Sequence, residues 1–191
     1  MDKPEPLVEH LILVDQSDRP IGIGEKMWVH QQGLLHRAFS IFVLNSQGQI
    51  LLQKRAISKY HSGGLWTNTC CSHPRPDESI LTAANRRLQE EMGFTCELTE
   101  IFSFIYESPL DYGLIEHEYD HVLLGKFDGE PILNPLEAEA WQWIDMDTLK
   151  LALSINPELY TFWLKACFDK FLDYTLNSNL SPVDFTTPFL V

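Results

Sequence analysis

Apolar and polar positions follow a strand-like pattern over much of this chain. Residues 11–14 are apolar and precede the polar run 15–20, which predicts a strand ending in a turn. The runs RAFSIFVLN and ILLQKRA flank Ser46-Gln47-Gly48, where glycine can take a positive φ, so they predict a β-hairpin. Further strand-like runs lie at residues 101–106, 115–125 and 141–144.

Two segments have the helical pattern instead. Within residues 78–92, apolar residues recur every three or four positions, and Gly93 stands where such a helix should end. Asn156-Pro157 is typical of an N-cap and first helical position, and predicts a helix reaching about Tyr174. Strands and helices together predict an α/β (α+β) fold, a mixed β-sheet sandwiched between α-helices.

Length and composition set the scale of the domain. A chain of 191 residues that is 45% hydrophobic can bury a full core, but it is short for two domains. We therefore expect a single domain over residues 1–180, followed by a C-terminal tail over 181–191. No long apolar stripe remains once the core elements are assigned, which favours a monomer.

The net charge restricts the partners. A formal charge of −13 argues against nonspecific nucleic-acid binding and against docking on anionic lipid, because both partners are polyanions. An anionic small molecule would have to meet a local basic cluster. The N-terminal residues 1–16 contain acids and prolines rather than a basic, apolar signal, and the four cysteines form no C-x-x-C pair. We therefore expect a cytoplasmic protein with reduced thiols.

The helix at residues 78–92 contains a charged motif. Glu78, Arg86 and the run Leu88-Gln89-Glu90-Glu91-Met92-Gly93-Phe94 resemble the Nudix box, G-x5-E-x7-R-E-U-x-E-E-x-G-U, where U is apolar. Ser72 replaces the first glycine of the box, and Arg87 replaces the glutamate after its arginine. The loss of that acid weakens a hydrolase interpretation, while Glu90 and Glu91 keep paired carboxylates suited to a hard cation.

A second motif precedes this helix. The segment WTNTCCSHP, residues 66–74, resembles the W-T-N-x-x-C-x-H-P segment of the type I isopentenyl diphosphate isomerases, a branch of the Nudix superfamily. Further matches, in the family's order between about residues 8 and 170, are Glu25-Lys26, His30, His36, Arg37-Ala38-Phe39-Ser40, Arg55-Ala56, Ser58-Lys59, Glu116-x-Glu118 and Trp163. The resemblance implies a Nudix fold and an isomerase that moves a carbon–carbon double bond between isopentenyl and dimethylallyl diphosphate.

Such a reaction adds a proton at one carbon and removes one from another, so it needs an acid and a base. The resemblance assigns these roles to Cys71 and Glu118, with Tyr106 assisting. An ordinary thiol is mostly protonated at neutral pH, so Cys71 can donate without special tuning. Which residue donates in a given direction stays open. By itself, a cysteine such as Cys71 is more often a small buried hydrophobic residue.

The resemblance also implies two divalent ions. Three histidines and two carboxylates would hold the first, which could be manganese, zinc or magnesium: His30, His36, His73, Glu116 and Glu118. Because Glu116 and Glu118 are two apart on a predicted strand, they should share one face, with His117 on the other. Glu91 would hold a second ion, magnesium, beside the diphosphate. We interpret His10, His61, His117 and His121 as structural or surface residues.

The substrate contacts follow from the same resemblance. Lys26, Arg55, Lys59 and Arg87 would bind the diphosphate. Trp163 would cover the hydrocarbon end, although its helical spacing by itself favours core packing. The alternatives are a Nudix pyrophosphohydrolase acting on a nucleoside diphosphate derivative, and a noncatalytic binding module. Neither gives a task to Cys71 and the three histidines together.

Overall fold

The computed structural model describes residues 8–177, so the predicted tail at 181–191 lies outside the described residues and the domain division stays a prediction. A nine-stranded sheet runs through this part of the chain. Its strands are β1 (His10–Val14), β2 (Pro20–Glu25), β3 (His36–Leu44), β4 (Ile50–Arg55), β5 (Trp66–Thr67), β6 (Cys70–Ser72), β7 (Leu98–Pro109), β8 (Ile115–Lys126) and β9 (Ala138–Ile144).

Strand β3 organises the sheet. It pairs in parallel with β8 along its whole length, from His36 beside Glu118 to Leu44 beside Lys126. It pairs antiparallel with β1, β4 and β6, and β8 pairs antiparallel with β7. The predicted mixed sheet is confirmed, as is the hairpin between β3 and β4, where Gly48 has φ 77°.

Four α-helices lie in the described chain: α1 (Lys26–Gln32), α2 (Ile80–Met92), α3 (Met146–Ile155) and α4 (Phe162–Asn177). Helix α2 matches the predicted helix, since the Ser79 side chain caps its first turn and Gly93 ends it in the left-handed region. The sequence analysis did not predict α1 and α3. None of these helices combines the length and apolar character that a membrane crossing requires.

The start predicted for the last helix was wrong. Pro157–Leu159 forms a short 3-10 turn, and the chain is extended at Tyr160. Tyr160 forms an isolated parallel bridge with Trp66, and the amide of Thr161 donates to the Trp66 carbonyl over 2.9 Å. Because these contacts hold the backbone in a sheet-like path, the helix begins only at Phe162.

Helices cover both faces of the sheet, each over its own apolar cluster. On one face, Leu88 and Met92 of α2 pack against Ile41 and Leu123 of the sheet. On the other face, α3 and α4 cover a second cluster, in which the rings of Phe42 and Phe171 stack with centroids 4.1 Å apart. Even-numbered residues of β3 and β8 face the α4 side. This alternation determines which polar side chains meet there.

Candidate active site

One pocket collects most of the side chains that the sequence analysis singled out. It is lined by the predicted residues Lys26, Arg55, Lys59, Cys71, His73, Arg87, Glu91, Tyr106, Glu116, Glu118 and Trp163, together with Tyr60, His61 and Ser72. The two remaining predicted residues, His30 and His36, are completely buried and hydrogen-bond or lie close to its lining carboxylates and histidines. All predicted site residues therefore lie in one region of the fold.

Strand pairing brings the acidic residues and histidines together. Parallel pairing of β3 with β8 sets His36 beside Glu118, and the strand alternation puts Glu116, Glu118 and Asp120 on one buried face of β8. His117 points to the other face, as predicted, where its Nδ1 donates to the Gly33 carbonyl over 2.9 Å.

Four side chains form a cluster suited to a metal ion. One ligand atom from each of His30, His36, His73 and Glu116 lies within 4.8 Å of all the others. Nε2 of His30 lies 2.9 Å from Glu116 Oε1, and Nε2 of His36 lies 3.2 Å from Nε2 of His73. Glu118 is not one of the four, but its Oε1 is 2.9 Å from Nε2 of His73.

Two of these histidines are held in the tautomer that a metal ligand needs. Nδ1 of His30 donates to the Lys26 carbonyl over 2.7 Å, and Nδ1 of His36 donates to the Leu34 carbonyl over 2.8 Å. A carbonyl can only accept, so Nδ1 of each ring carries a proton and Nε2 is the atom directed into the cluster, where it can bind a metal ion once any proton on it is lost. Burial lowers the pKa of His36 to about 4 and the pKa of His73 well below its usual value. Neutral imidazoles and a carboxylate at these separations fit a divalent ion.

The two carboxyl groups have opposite electrostatic surroundings. Burial alone would raise the pKa of Glu116, but the hydrogen bond and charge of His30 outweigh it and lower that pKa to about 2. Burial and the neighbouring charges of Glu116 and Asp120 raise the pKa of Glu118 well above its usual range. Tyr106 donates to Glu118 Oε2 over 2.6 Å. Glu118 is thus the carboxyl best able to carry a proton near neutral pH.

Cys71 faces the same pocket as a protonated thiol. Its Sγ donates to Asn68 Oδ1 over 3.0 Å and lies 3.6 Å from the hydroxyl of Ser40. Burial, together with the nearby Asp120 carboxyl, raises the pKa of this thiol far above its usual value. The four cysteines, Cys70, Cys71, Cys96 and Cys167, are all free thiols, as expected.

Three of the four predicted diphosphate-binding residues are paired with carboxylates. Lys26 bonds Glu9 and Lys59 bonds Glu137, each over 2.6 Å. The Arg87 guanidinium bridges Glu90, Glu91 and Glu137.

Arg55 is different. Within residues 8–177 it forms no ion pair, and its buried Nε has no hydrogen-bond partner. Its guanidinium carbon lies 5.2 Å from the centre of the Trp163 ring. Arg55 is therefore the cation of this set most available to an anion.

Comparison with known proteins places this site in a family. A NUDIX domain matches residues 34–164. Isopentenyl-diphosphate Delta-isomerase from Serratia proteamaculans (strain 568) is 58% identical, over 81% of this chain and 87% of its own. Isopentenyl-diphosphate Delta-isomerase 2 from Aromatoleum aromaticum (strain DSM 19018 / LMG 30748 / EbN1) is 55% identical, over 85% of this chain and 86% of its own. The chain belongs to the isopentenyl-diphosphate Delta-isomerase family of NUDIX proteins.

Solved structures share the fold of this isomerase family member at much lower identity. The structure of DR0079 from Deinococcus radiodurans has a TM-score of 0.65 and 21% identity, and the match covers 78% of this chain and 90% of that one. A MutT NUDIX hydrolase from Burkholderia pseudomallei has a TM-score of 0.57 and 23% identity, with 71% and 96% covered. At such identities the likeness establishes the NUDIX fold, which confirms the predicted fold class.

The sequence analysis missed one histidine of this isomerase-family site. His61, interpreted as structural, is 5% exposed and lines the pocket. Its Nε2 lies 3.9 Å from Glu116 Oε2, and its ring meets the Trp163 ring edge-on at 5.7 Å. His61 lies two residues after Lys59, in the loop that follows Arg55 at the end of β4, and this position was the available signal. Tyr60 and Glu137, not singled out either, contact the cations Lys26 and Lys59.

Trp163 is buried like a core residue and also lines the pocket. It is 3% exposed, as core packing requires, and yet it lines the pocket. Its Nε1 donates to Thr67 Oγ1 over 2.7 Å, which anchors α4 to the short strand β5. The indole is therefore a rigid wall of the pocket.

Proposed function

We propose that this chain interconverts isopentenyl diphosphate and dimethylallyl diphosphate in isoprenoid biosynthesis, by adding one proton and removing another. The observation that carries the proposal is one pocket lined by a protonated thiol, Cys71, and by a carboxyl of raised pKa, Glu118. Relatives that are 44–58% identical over most of this chain bear the name of this activity.

The proposed mechanism assigns the two proton transfers to these groups. One of Cys71 and Glu118 delivers its proton to the terminal carbon of the double bond. The other, in its deprotonated form, accepts a proton from the carbon on the far side of the tertiary centre, so that the double bond shifts by one position. By microscopic reversibility the two residues exchange roles in the reverse direction. Tyr106 orients Glu118 through its 2.6 Å hydrogen bond and can assist the transfer.

We further propose that the chain holds a divalent ion, manganese, zinc or magnesium, with His30, His36, His73, Glu116 and Glu118. Bound there, the ion would supply a positive charge that fixes and polarises the Glu118 carboxylate. Burial of the ligands and the tautomers held by the Lys26 and Leu34 carbonyls support this set.

Diphosphate binding is proposed for Lys26, Arg55, Lys59 and Arg87. Glu91, which is 5% exposed and lines the pocket, would hold a magnesium ion with the diphosphate. Arg55 is free of carboxylates within the described chain, so we expect it to bind first, while the other three exchange carboxylate oxygens for phosphate oxygens. Trp163 would cover the hydrocarbon end, where an indole face can stabilise a developing cation by about 2 kcal/mol.

A monomer in the cytoplasm, without nucleic-acid or membrane partners, completes the proposal. The formal charge of −13 and the four free thiols support it. The pyrophosphohydrolase alternative has less support, because Arg87 occupies the place of an acid of the Nudix box and forms ion pairs with Glu90 and Glu91.

Proton NMR in deuterated water, with magnesium and isopentenyl diphosphate, tests the proposed reaction. We expect deuterium-labelled dimethylallyl diphosphate with the native protein and with Cys96→Ala, which removes a thiol outside the pocket. Cys71→Ala should give no product. Unchanged substrate with a folded, metal-loaded native protein would refute the isomerase, and release of phosphate from nucleoside diphosphate derivatives would then support the hydrolase.

A further inference from the structure

A buried polar chain lies behind Cys71 and has no part in the proton transfers proposed above. The hydroxyl of Ser40 donates to Asp120 Oδ2 over 2.8 Å, and Ser40 Oγ lies 3.6 Å from Cys71 Sγ. Two strand pairings create this arrangement, since Ser40 on β3 is the register partner of Cys71 on β6, and β8 carries Asp120 on the other side of β3.

The directions of the hydrogen bonds are determined by the donors available. Ser40 has one hydroxyl hydrogen, which it gives to Asp120, so it can only accept from the thiol. Asp120 Oδ2 can take this hydrogen whether the carboxyl is ionised or carries a proton on Oδ1.

Hydrogen bonds also determine the orientation of the neighbouring Asn68 amide. Its Nδ2 donates to the carbonyls of Ile41, over 3.1 Å, and Cys70, over 3.2 Å. Its Oδ1 therefore faces the thiol as an acceptor, 3.0 Å from Cys71 Sγ. Cys71 thus meets acceptors from both Ser40 and Asn68, and this surrounding favours a thiol that donates its hydrogen.

The burial of the Asp120 carboxyl is unfavourable for the free energy of folding. Its side chain is completely buried, and Oδ1 has no hydrogen-bond partner within residues 8–177. The charged or titratable groups around it are Glu116 and Glu118 on its own strand, Cys71 on β6, Tyr106 on β7, Cys167 on α4 and the adjacent His121. Within the described chain no cation forms an ion pair with it. A buried carboxyl with a single hydrogen bond destabilises a fold, so stability does not account for Asp120.

We propose that Ser40 and Asp120 are positioning residues for Cys71, which hold its thiol as a hydrogen-bond donor in one orientation facing the pocket. Asp120 keeps the Ser40 hydroxyl turned away from sulfur, and Ser40 then offers the thiol an acceptor. The proposal rests on the proposed function, in which Cys71 is one of the two proton-transferring groups.

Kinetics of Ser40→Ala, Asp120→Leu and the double variant test this proposal. We expect each single change to lower kcat on the order of 10- to 100-fold with KM nearly unchanged, because misplacing a reacting group has costs of this size. The double variant should be no slower than Ser40→Ala, since the two residues act through one contact. Ser40→Thr, which keeps the hydroxyl, should restore most of kcat.

Stability separates positioning from a structural role. Urea unfolding should show Asp120→Leu to be as stable as the native protein or more stable. Thr175→Val, which removes a buried hydroxyl bonded to the Leu172 carbonyl at the far end of α4, is the control and should leave kcat unchanged. A large loss of stability in Asp120→Leu with an unchanged kcat would overturn the proposal.

A spectroscopic measurement makes the test independent of turnover. The S–H stretching band of Cys71 can be isolated by infrared difference against Cys71→Ala. We expect Ser40→Ala and Asp120→Leu to shift this band, because the first removes the Ser40 oxygen beside the thiol and the second frees the Ser40 hydroxyl to donate to the sulfur. An unshifted band would refute the positioning role even in an active enzyme. If the variants shift the band but the native protein fails to isomerise, the proposed function alone would be refuted.

Discussion

The phenol of Tyr106 donates a hydrogen bond of 2.6 Å to Oε2 of Glu118. The two residues are register partners across the antiparallel pair β7 and β8, and both are buried. Burial and the charge of Glu118 raise the pKa of the phenol well above its usual value, so Tyr106 acts as a donor that keeps its proton.

Tyr106→Phe should therefore lower kcat by about 10²-fold, because it removes the hydrogen bond that orients Glu118, with little change in stability. Steady-state kinetics with isopentenyl diphosphate measure this. Tyr119→Phe is the matched control. Tyr119 lies on β8 next to Glu118 but on the opposite face of the sheet, where its phenol accepts from the hydroxyl of Ser103. Equal losses of kcat in the two variants would contradict a role for Tyr106 in orienting Glu118.

Loss of one clustered histidine should weaken metal binding. His36→Gln removes a buried Nε2 from the set of four, and we expect affinity for the tightest-binding divalent ion to fall by at least about tenfold. Metal content after dialysis and titrations with manganese, zinc and magnesium give the affinities. His117→Gln, on the other face of β8, should bind like the native protein and gain the same rise in Tm on metal addition. An unchanged affinity in His36→Gln would exclude this cluster as the metal site.

Arg55→Met should act mainly on substrate binding. A hydrogen bond to a charged group contributes about 1.5–3 kcal/mol, which predicts a rise in KM of about 10- to 150-fold. The neighbouring Lys54→Met is a suitable control, since Lys54 points away to Glu139 with an ion pair of 2.8 Å. If both variants kept the native KM, Arg55 would not contact the diphosphate.

Trp163→Phe separates the two roles of the indole. It keeps an aromatic wall but removes the hydrogen bond to Thr67, so the free energy of unfolding should fall by about 1 kcal/mol. We expect turnover to fall more than this loss of stability explains, because the smaller ring changes the pocket. Phe168→Leu, a core change in the same helix without pocket contact, should cost about as much stability and leave turnover intact. If turnover and stability fell together in both variants, Trp163 would act only through core packing.

The ion pair of Glu78 and Arg86 should make stability depend on acid pH. Nε and a terminal nitrogen of Arg86 donate to the two Glu78 oxygens over 2.8 and 2.7 Å, and these hydrogen bonds lower the pKa of Glu78 below its usual 4.5. A carboxyl whose pKa is lower in the folded state stabilises the protein above its unfolded pKa, and the contribution is lost as pH falls through the folded value.

Glu78→Gln should thus be less stable than the native protein at pH 7, by about 1 kcal/mol, and the gap should close as pH falls below about 4.5. Urea unfolding at a series of pH values measures the gap. Arg86→Lys, which keeps the charge but not the paired geometry, should show an intermediate gap. A gap independent of pH would mean that Glu78 acts through packing and not through its charge.

The sequence patterns predicted those strands and helices that depend only on residues close together in the chain. The β3–β4 hairpin needs only a glycine between two apolar runs, and α2 needs only its apolar spacing, a cap and Gly93. Helix α1 was missed because it has seven residues and is capped by the Glu25 side chain, an uncommon cap. Helix α4 starts late because Tyr160 bridges Trp66, a contact between residues 94 positions apart that no local window contains.

The sequence by itself determined the family and predicted most of the residues that line the pocket, though not His61 and Tyr60, because the motif around Cys71, the histidines and the Glu116-x-Glu118 pair have family-specific order and spacing. Only the tertiary structure decided which of these residues lie beside one another. Parallel pairing of β3 with β8 sets His36 beside Glu118, and pairing of β3 with β6 sets Ser40 beside Cys71. The pocket environments of His61 and Asp120 follow from such contacts between distant segments, since burial and charge depend on neighbours that the linear order does not reveal.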